Sequence, residues 1–213
     1  YWTIIFPKNL FDLNTFQLFS NTIYLVFLSS IVLVVFSFIS NYGNRVTKSK
    51  FLNFLTTFSI TGYAIPGVIL AVAFITFIAW FDNTFVKAFE FNSIKKIFIG
   101  SIFGLVIVYF IRFYSLAYNG LKTGYERINR SIDESSYLLG YSKIKTFLGI
   151  HVPYLKNSVF LIGILITIEV IKELPITLIL RPFNFETFAT TAYIFASQDL
   201  LEAAAVPSLF LIL

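Results

Sequence analysis

The sequence contains no cysteine, no methionine and a single histidine, His151. Without thiols there are no disulfides and no thiolate metal sites, and one imidazole does not make a metal centre. With no initiator methionine, and with an apolar run from Ala203 that reaches the last residue, Leu213, the chain is expected to be a piece of a longer reading frame. Charge is scarce as well: 13% of residues are charged, where an ordinary soluble domain has roughly 25%. The first residues lack the basic start and small-residue cleavage site of a signal peptide. A phosphate-cradling Gly-Lys-Ser/Thr loop is also missing, so no nucleotide hydrolysis of that kind is expected here.

What is abundant is apolar surface, 57% of residues with a mean hydropathy of +0.81. It falls into blocks of about 20 residues, the length that crosses a hydrocarbon core of roughly 30 Å. Four spans are predicted, about Gln17 to Ile39, Ile60 to Phe81, Ile97 to Tyr118 and Ser158 to Leu180, with a fifth starting near Ala203. Open strands in lipid would leave backbone groups unpaired, and a barrel shows much shorter alternating segments. The predicted fold class is therefore all-α, a polytopic transmembrane helical bundle, with residues 1–213 forming one partial transmembrane domain. The 27 phenylalanines are spread through these spans as packing and lipid-facing bulk.

The formal charge of +5 would raise the question of nucleic acid in a soluble protein. Here the basic residues sit in short loops, where the positive-inside rule accounts for them and no nucleic acid is expected. Residues 41–59 (Arg45, Lys48, Lys50) and residues 119–157 each carry a net charge of +3. The intervening loops are poorer, +1 for residues 82–96 (Lys87, Lys95 and Lys96 against Asp82 and Glu90) and −2 for residues 181–202. The alternation places the segment before the first span outside and the long loop 119–157 in the cytoplasm.

That long loop carries local signals. Ser131 with Glu134 three residues later fits a capping box, and Asp133 adds negative charge at a helix start. Gly140 is placed to end this helix in the left-handed conformation, Ser142 to cap a second one, and Pro153 to close it. Ile128, Ile132 and Leu139 are expected on one face, and Ile144, Phe147 and Leu148 on another. Two short amphipathic helices in such a loop need cover from headgroups, from the chain's own spans, or from a grooved partner.

The run Glu134-Ser135-Ser136, three residues, Gly140, nine residues, Ile150-His151-Val152-Pro153 resembles the EAA loop of permease subunits of binding-protein-dependent ABC importers. The family pattern is Glu-Ala-Ala, three residues, Gly, nine residues, Ile, any residue, Leu, Pro. All spacings are kept, with Ser135 and Ser136 in place of the alanines and Val152 in place of leucine. The resemblance implies a type I importer permease of the bacterial cytoplasmic membrane. It also implies a coupling helix that docks on a separate ATP-hydrolysing subunit, with ATP and Mg held on that partner and no cofactor on this chain. Glu134 is then expected to make a charged docking contact and Gly140 to permit the turn. Further implied partners are a periplasmic substrate-binding protein and a second permease half, fused or separate, in the lipid bilayer.

Two other stretches, Tyr63 to Ala71 and Lys172 to Phe185 with its Arg181-Pro182-Phe183-Asn184, are similar to the second half of ferric-iron importer permeases. The substrate implied is ferric iron, with thiamine, a polyamine or another small solute as the alternative. Pro66 and Gly67 read as a kink in the second span. Glu169, Lys172 and Glu173 share one face well inside the fourth span, as an ion pair of Lys172 with Glu169 or as part of the translocation path. Arg112 is expected near a span end, with its guanidinium reaching the interface. A secondary transporter using these carboxylates would need broken helices or inverted repeats, and neither is legible in the sequence.

Overall fold

The computed structural model describes residues 13–47, 49–81, 83–84 and 98–212. The first residues up to 12, Lys48, the loop residues Asp82, Lys87, Glu90, Lys95 and Lys96, the start of the predicted third span at Ile97, and Leu213 lie outside them. Among the described residues there is no strand; the chain is all-α. The elements are α1 (Leu13–Thr47), α2 (Lys50–Ile60) with a 3-10 turn (Thr61–Ala64), α3 (Gly67–Phe81) and α4 (Ile102–Glu126). Then follow α5 (Arg130–Leu138), α6 (Lys143–Thr146), α7 (Lys156–Lys172), α8 (Pro175–Leu180), α9 (Phe188–Ser197) and α10 (Leu201–Ile212).

Two helices, α1 and α4, are long and apolar enough to cross a membrane, with mean hydropathies of 2.5 and 1.5. The count rises to four if each of two bent pairs is one span, α2 with α3 and residues 143–154 with α7. Both long helices outrun their predicted spans. Alpha-helical hydrogen bonding does not stop where hydropathy falls, so α4 continues through Asn119, Lys122 and Thr123 to Glu126. The predicted second and fourth spans are interrupted. Proline lacks the amide that would continue a helix, and the breaks fall at Ile65–Pro66 and at Glu173–Leu174 before Pro175.

The chain divides into two compact units, changing from one to the other at Ser29/Ser30, Ala64/Ile65, Arg112/Phe113 and Ile166/Thr167. The core of the first includes Leu25, Ala71, Leu105, Tyr109, Ile176 and Leu180, all at most 1% exposed. In this unit residues 181–202, expected as a loop, contain α9. Its start is a capping box in which Thr187 and Thr190 satisfy each other's backbone amides. The core of the second unit includes Leu33, Phe113, Ala117, Leu121, Leu155 and Ile166. Glycines let helices approach there: a Cβ on Gly120 or Gly124 would lie 2.7 Å from Ile162 Cγ1 or Ser158 Oγ.

Candidate functional site

In the second unit the EAA-like segment is built as a helix, a left-handed turn and a second helix. The N-cap of α5 is Asn129, whose side chain accepts the Ser131 amide at 3.2 Å. This corrects the expected Ser131–Glu134 box: two capping residue types stand two positions apart, and the chain uses the earlier one. Ser131 and Glu134 fall inside the helix and are exposed, while Asp133 lies in the first turn as expected. The other end is a Schellman motif, in which the Tyr141 amide donates to Ser136 O at 3.0 Å and the Gly140 amide to Tyr137 O at 2.9 Å. Gly140 takes φ +82°. A Cβ there would meet nothing within 4 Å, so the requirement for glycine is one of backbone conformation and not of space.

Ser142 caps α6 by accepting the Lys145 amide at 3.3 Å, as its sequence position implies. The helix then runs on through a π turn (Phe147–His151) and past Pro153 to Tyr154, where it meets α7 at a bend of 68°. The closure expected at Pro153 therefore comes one residue late, because Pro153 is early enough in its short segment to be tolerated. Ser136 is buried and its hydroxyl pairs with that of Thr146 at 2.8 Å, tying α5 to the following helix where the family pattern has alanine. Ser135 and Pro153 are exposed and Ile150 is half-buried.

The apolar faces differ from expectation in one respect. Ile128 lies in the turn ahead of α5 and is buried, whereas Leu138, Leu139 and Ile144 are 88%, 77% and 72% exposed. Leu148 is exposed with them, and Phe147 turns inward, its ring centroid 5.8 Å from Phe38 and 4.8 Å from Tyr42. The result is an apolar ridge on both sides of the Gly140 turn with the Glu134 carboxylate exposed beside it.

Beneath the ridge lies a cluster that the sequence reading missed. Arg45, near the end of α1, places Nε 2.7 Å from Asp133 Oδ2. Its other nitrogens donate to the carbonyls of Tyr125 at 3.2 Å, Ile128 at 2.9 Å and Asn129 at 3.1 Å. These carbonyls run from the last turn of α4 at Tyr125 to the N-cap of α5 at Asn129, so one guanidinium spans the connection between the two helices. The second oxygen of Asp133 receives His151 Nε2 at 2.6 Å. His151 is fully buried against the rings of Tyr42 and Tyr125, and its Nδ1 has no hydrogen-bond partner. Burial holds this imidazole below its ordinary pKa, the Asp133 carboxylate pulls the other way, and Arg45 adds to the lowering. The neutral tautomer with its proton on Nε2 suits this setting, since a proton on Nδ1 would lack an acceptor.

In the first unit Glu173 is buried and Glu169 half-buried, but Lys172 is exposed and takes part in none of the ion pairs among the described residues. Glu173 instead faces Arg112, with Nε 3.3 Å from Oε2. Arg112 was expected near a span end; α4 continues to Glu126, so Arg112 lies mid-helix, with its side chain 22% exposed. A polar hollow of about 630 Å³ also opens in this unit, lined in part by Gln17, Asn21, Asn184 and Thr191. Glu186 borders it with both oxygens engaged, one by Arg181 and one by the Thr190 hydroxyl.

The coupling-type turn is joined by a sequence likeness. Over 151 residues the chain is 22% identical to an Fe(3+)-transport system permease protein of Haemophilus influenzae. The matched stretch is 71% of this chain and only 27% of the relative, so the chain spans about a quarter of that protein's length. No family model matches the sequence. A permease is a transport subunit, and the apolar helices of this chain agree with a membrane protein.

Proposed function

We propose that this chain is the membrane-spanning permease of an ATP-driven importer, passing ferric iron from an external binding protein to the cytoplasm of a bacterium by alternating access. The observation that carries the reading is the apolar ridge of Leu138, Leu139, Ile144 and Leu148 around Gly140. A ridge of this shape, with exposed Glu134 at its edge, fits a groove on a soluble ATPase subunit better than it fits headgroups, since the clamp beneath fixes its geometry. ATP and Mg belong to that partner. Iron as substrate rests on the named activity of the relative and on the Arg181 to Phe185 segment.

The test is co-purification of the full-length protein with its ATPase subunit. Glu134→Lys and Leu138→Asp should abolish retention of the ATPase and uptake of ferric iron while leaving membrane insertion intact. Normal retention in both variants would remove the coupling reading.

A second reading gains support from the helix breaks at Pro66 and at Leu174–Pro175, which an ion-coupled secondary transporter would also use. Uptake that persists after ATP depletion and collapses with a protonophore would favour it.

A further inference from the structure

Four segments of the first unit meet at Glu173. The residue directly follows α7, and its Oε1 accepts the Ile176 amide at 3.3 Å, capping the first turn of α8 across the Leu174–Pro175 break. Its backbone carbonyl accepts the Thr177 hydroxyl at 2.5 Å, and that hydroxyl in turn contacts the Tyr109 phenol of α4. One turn along α4 from Tyr109, Arg112 faces Oε2 and also donates from Nη1 to the carbonyl of Ile65, the residue before the other proline break. Just beyond that break, Gly67 opens α3. A Cβ on Gly67 would lie 2.7 Å from Glu173 Oε1 and 3.2 Å from Ile176 Cγ1, so a side chain there would displace the carboxylate.

Two interrupted helices are thus cross-tied by one guanidinium. Each Glu173 oxygen has a protein partner that fixes it in place, Oε1 a helix amide and Oε2 an arginine. Charges at such depth are costly and persist where they act, and discrete polar ties between packed helices are the means by which a bundle holds one of two arrangements.

We propose that Arg112, Glu173 and Gly67 form a latch that holds the two helix breaks together in this conformation and opens during transport. They are positioning residues of a gate, not substrate ligands. The proposal rests on the transport reading above. It predicts that Gly67→Ala, which displaces the carboxylate and keeps its charge, acts like Glu173→Gln, which keeps the cap and removes the charge. Arg112→Lys should give a weaker form of the same change.

Two measurements on the full-length protein in native-composition membranes test it. This chain has no cysteine, so with any cysteine elsewhere in the full-length protein replaced by serine, Ile176→Cys, at a position 0% exposed, supplies a single thiol. The labelling rate of that thiol by a water-soluble maleimide should rise about five-fold or more in Gly67→Ala and in Glu173→Gln, as a shift toward the open arrangement requires. Maximal uptake should fall by about ten-fold in both, with the half-saturating substrate concentration changed by less than about two-fold, the pattern of a lost conformational step and not of a lost ligand. Unchanged labelling in both variants overturns the latch. So does a ten-fold rise in half-saturation confined to Glu173→Gln, which would make Glu173 a substrate ligand. Failure of the wild type to retain an ATPase subunit sinks the coupling reading alone, because the labelling result does not depend on it.

Discussion

Arg45 and Arg112 each leave a long helix to close a gap in the backbone elsewhere, and they do it to different degrees. Arg45 meets a carboxylate at 2.7 Å and three carbonyls within 3.2 Å, so its fork is matched on several sides. Arg112 meets one carbonyl and a carboxylate at 3.3 Å. The first arrangement suits a fixed platform: α5 must present its ridge at one angle, and Arg45 with Asp133 and His151 sets that angle from the end of α1. The second bridges two helix breaks, and its carboxylate contact at 3.3 Å is looser than the 2.7 Å of the first, which suits the latch proposed above. In the proposed transport cycle, rigidity under the ridge and compliance at the helix breaks are complementary needs.

The comparison is broken most severely at Arg45. Arg45→Met takes the cation from Asp133 and a donor from three carbonyls, and removing one partner of a largely buried pair costs up to about 3 kcal/mol. The expected outcome is a large drop in the thermal midpoint of the detergent-solubilised protein together with loss of ATPase retention. A variant with wild-type melting would show that the platform is held some other way.

A smaller effect is expected at the turn. Gly140→Val forces a β-branched residue to φ +82°, a strain of about 1–3 kcal/mol. Gly140→Asn should recover most ATPase retention, since asparagine tolerates the left-handed region and the space beside the residue is open. Equal retention by valine and asparagine would move the requirement for glycine away from conformation.

His151 sharpens the same contrast through pH. Its folded-state pKa lies below the unfolded value of about 6.5, so below that pH the unfolded chain binds the proton first. Stability from this residue is complete above about 6.5 and is lost as pH falls from there through the folded pKa. The groups facing the ring are Asp133, Arg45, Tyr42 and Tyr125. Melting midpoints measured between pH 7.5 and 5.5 should decline for the wild type and decline less for His151→Gln. Parallel slopes would remove the histidine from the account.

The smallest effect is expected at Lys172. Because Lys172 is exposed and Glu173 turns to Arg112, Lys172→Met should change stability by no more than about 0.5 kcal/mol. A thermal midpoint far below wild type would restore the pairing with Glu169 that the sequence suggested.

Helix identity was legible because hydropathy and span length leave few choices, and the Gly140 turn was legible because one residue type dominates that conformation. What escaped was set by distance along the chain. Arg45 and Asp133 are separated by 88 residues, and no local pattern joins them. Arg112 was misplaced because hydropathy falls near Tyr118 while hydrogen bonding continues to Glu126. The helix α9 was read as loop because ten residues are too few for a span. The N-cap was missed by two positions because Asn129 and Ser131 are both good caps, and only packing chooses between them.

The open space beside Gly140 has a consequence in terms of handedness. With nothing within 4 Å of an L side chain's Cβ, the penalty at φ +82° comes from the backbone alone and falls on the L configuration. D-alanine introduced there by semisynthesis would sit in its own favoured backbone region and remove freedom from the unfolded chain. By the reasoning that makes Gly→Ala favourable where the native angles permit it, such a chain should be more stable than the natural one, by about 0.4–1 kcal/mol. The backbone angle at Gly140 that resists natural side chains suits the mirror image of the simplest of them.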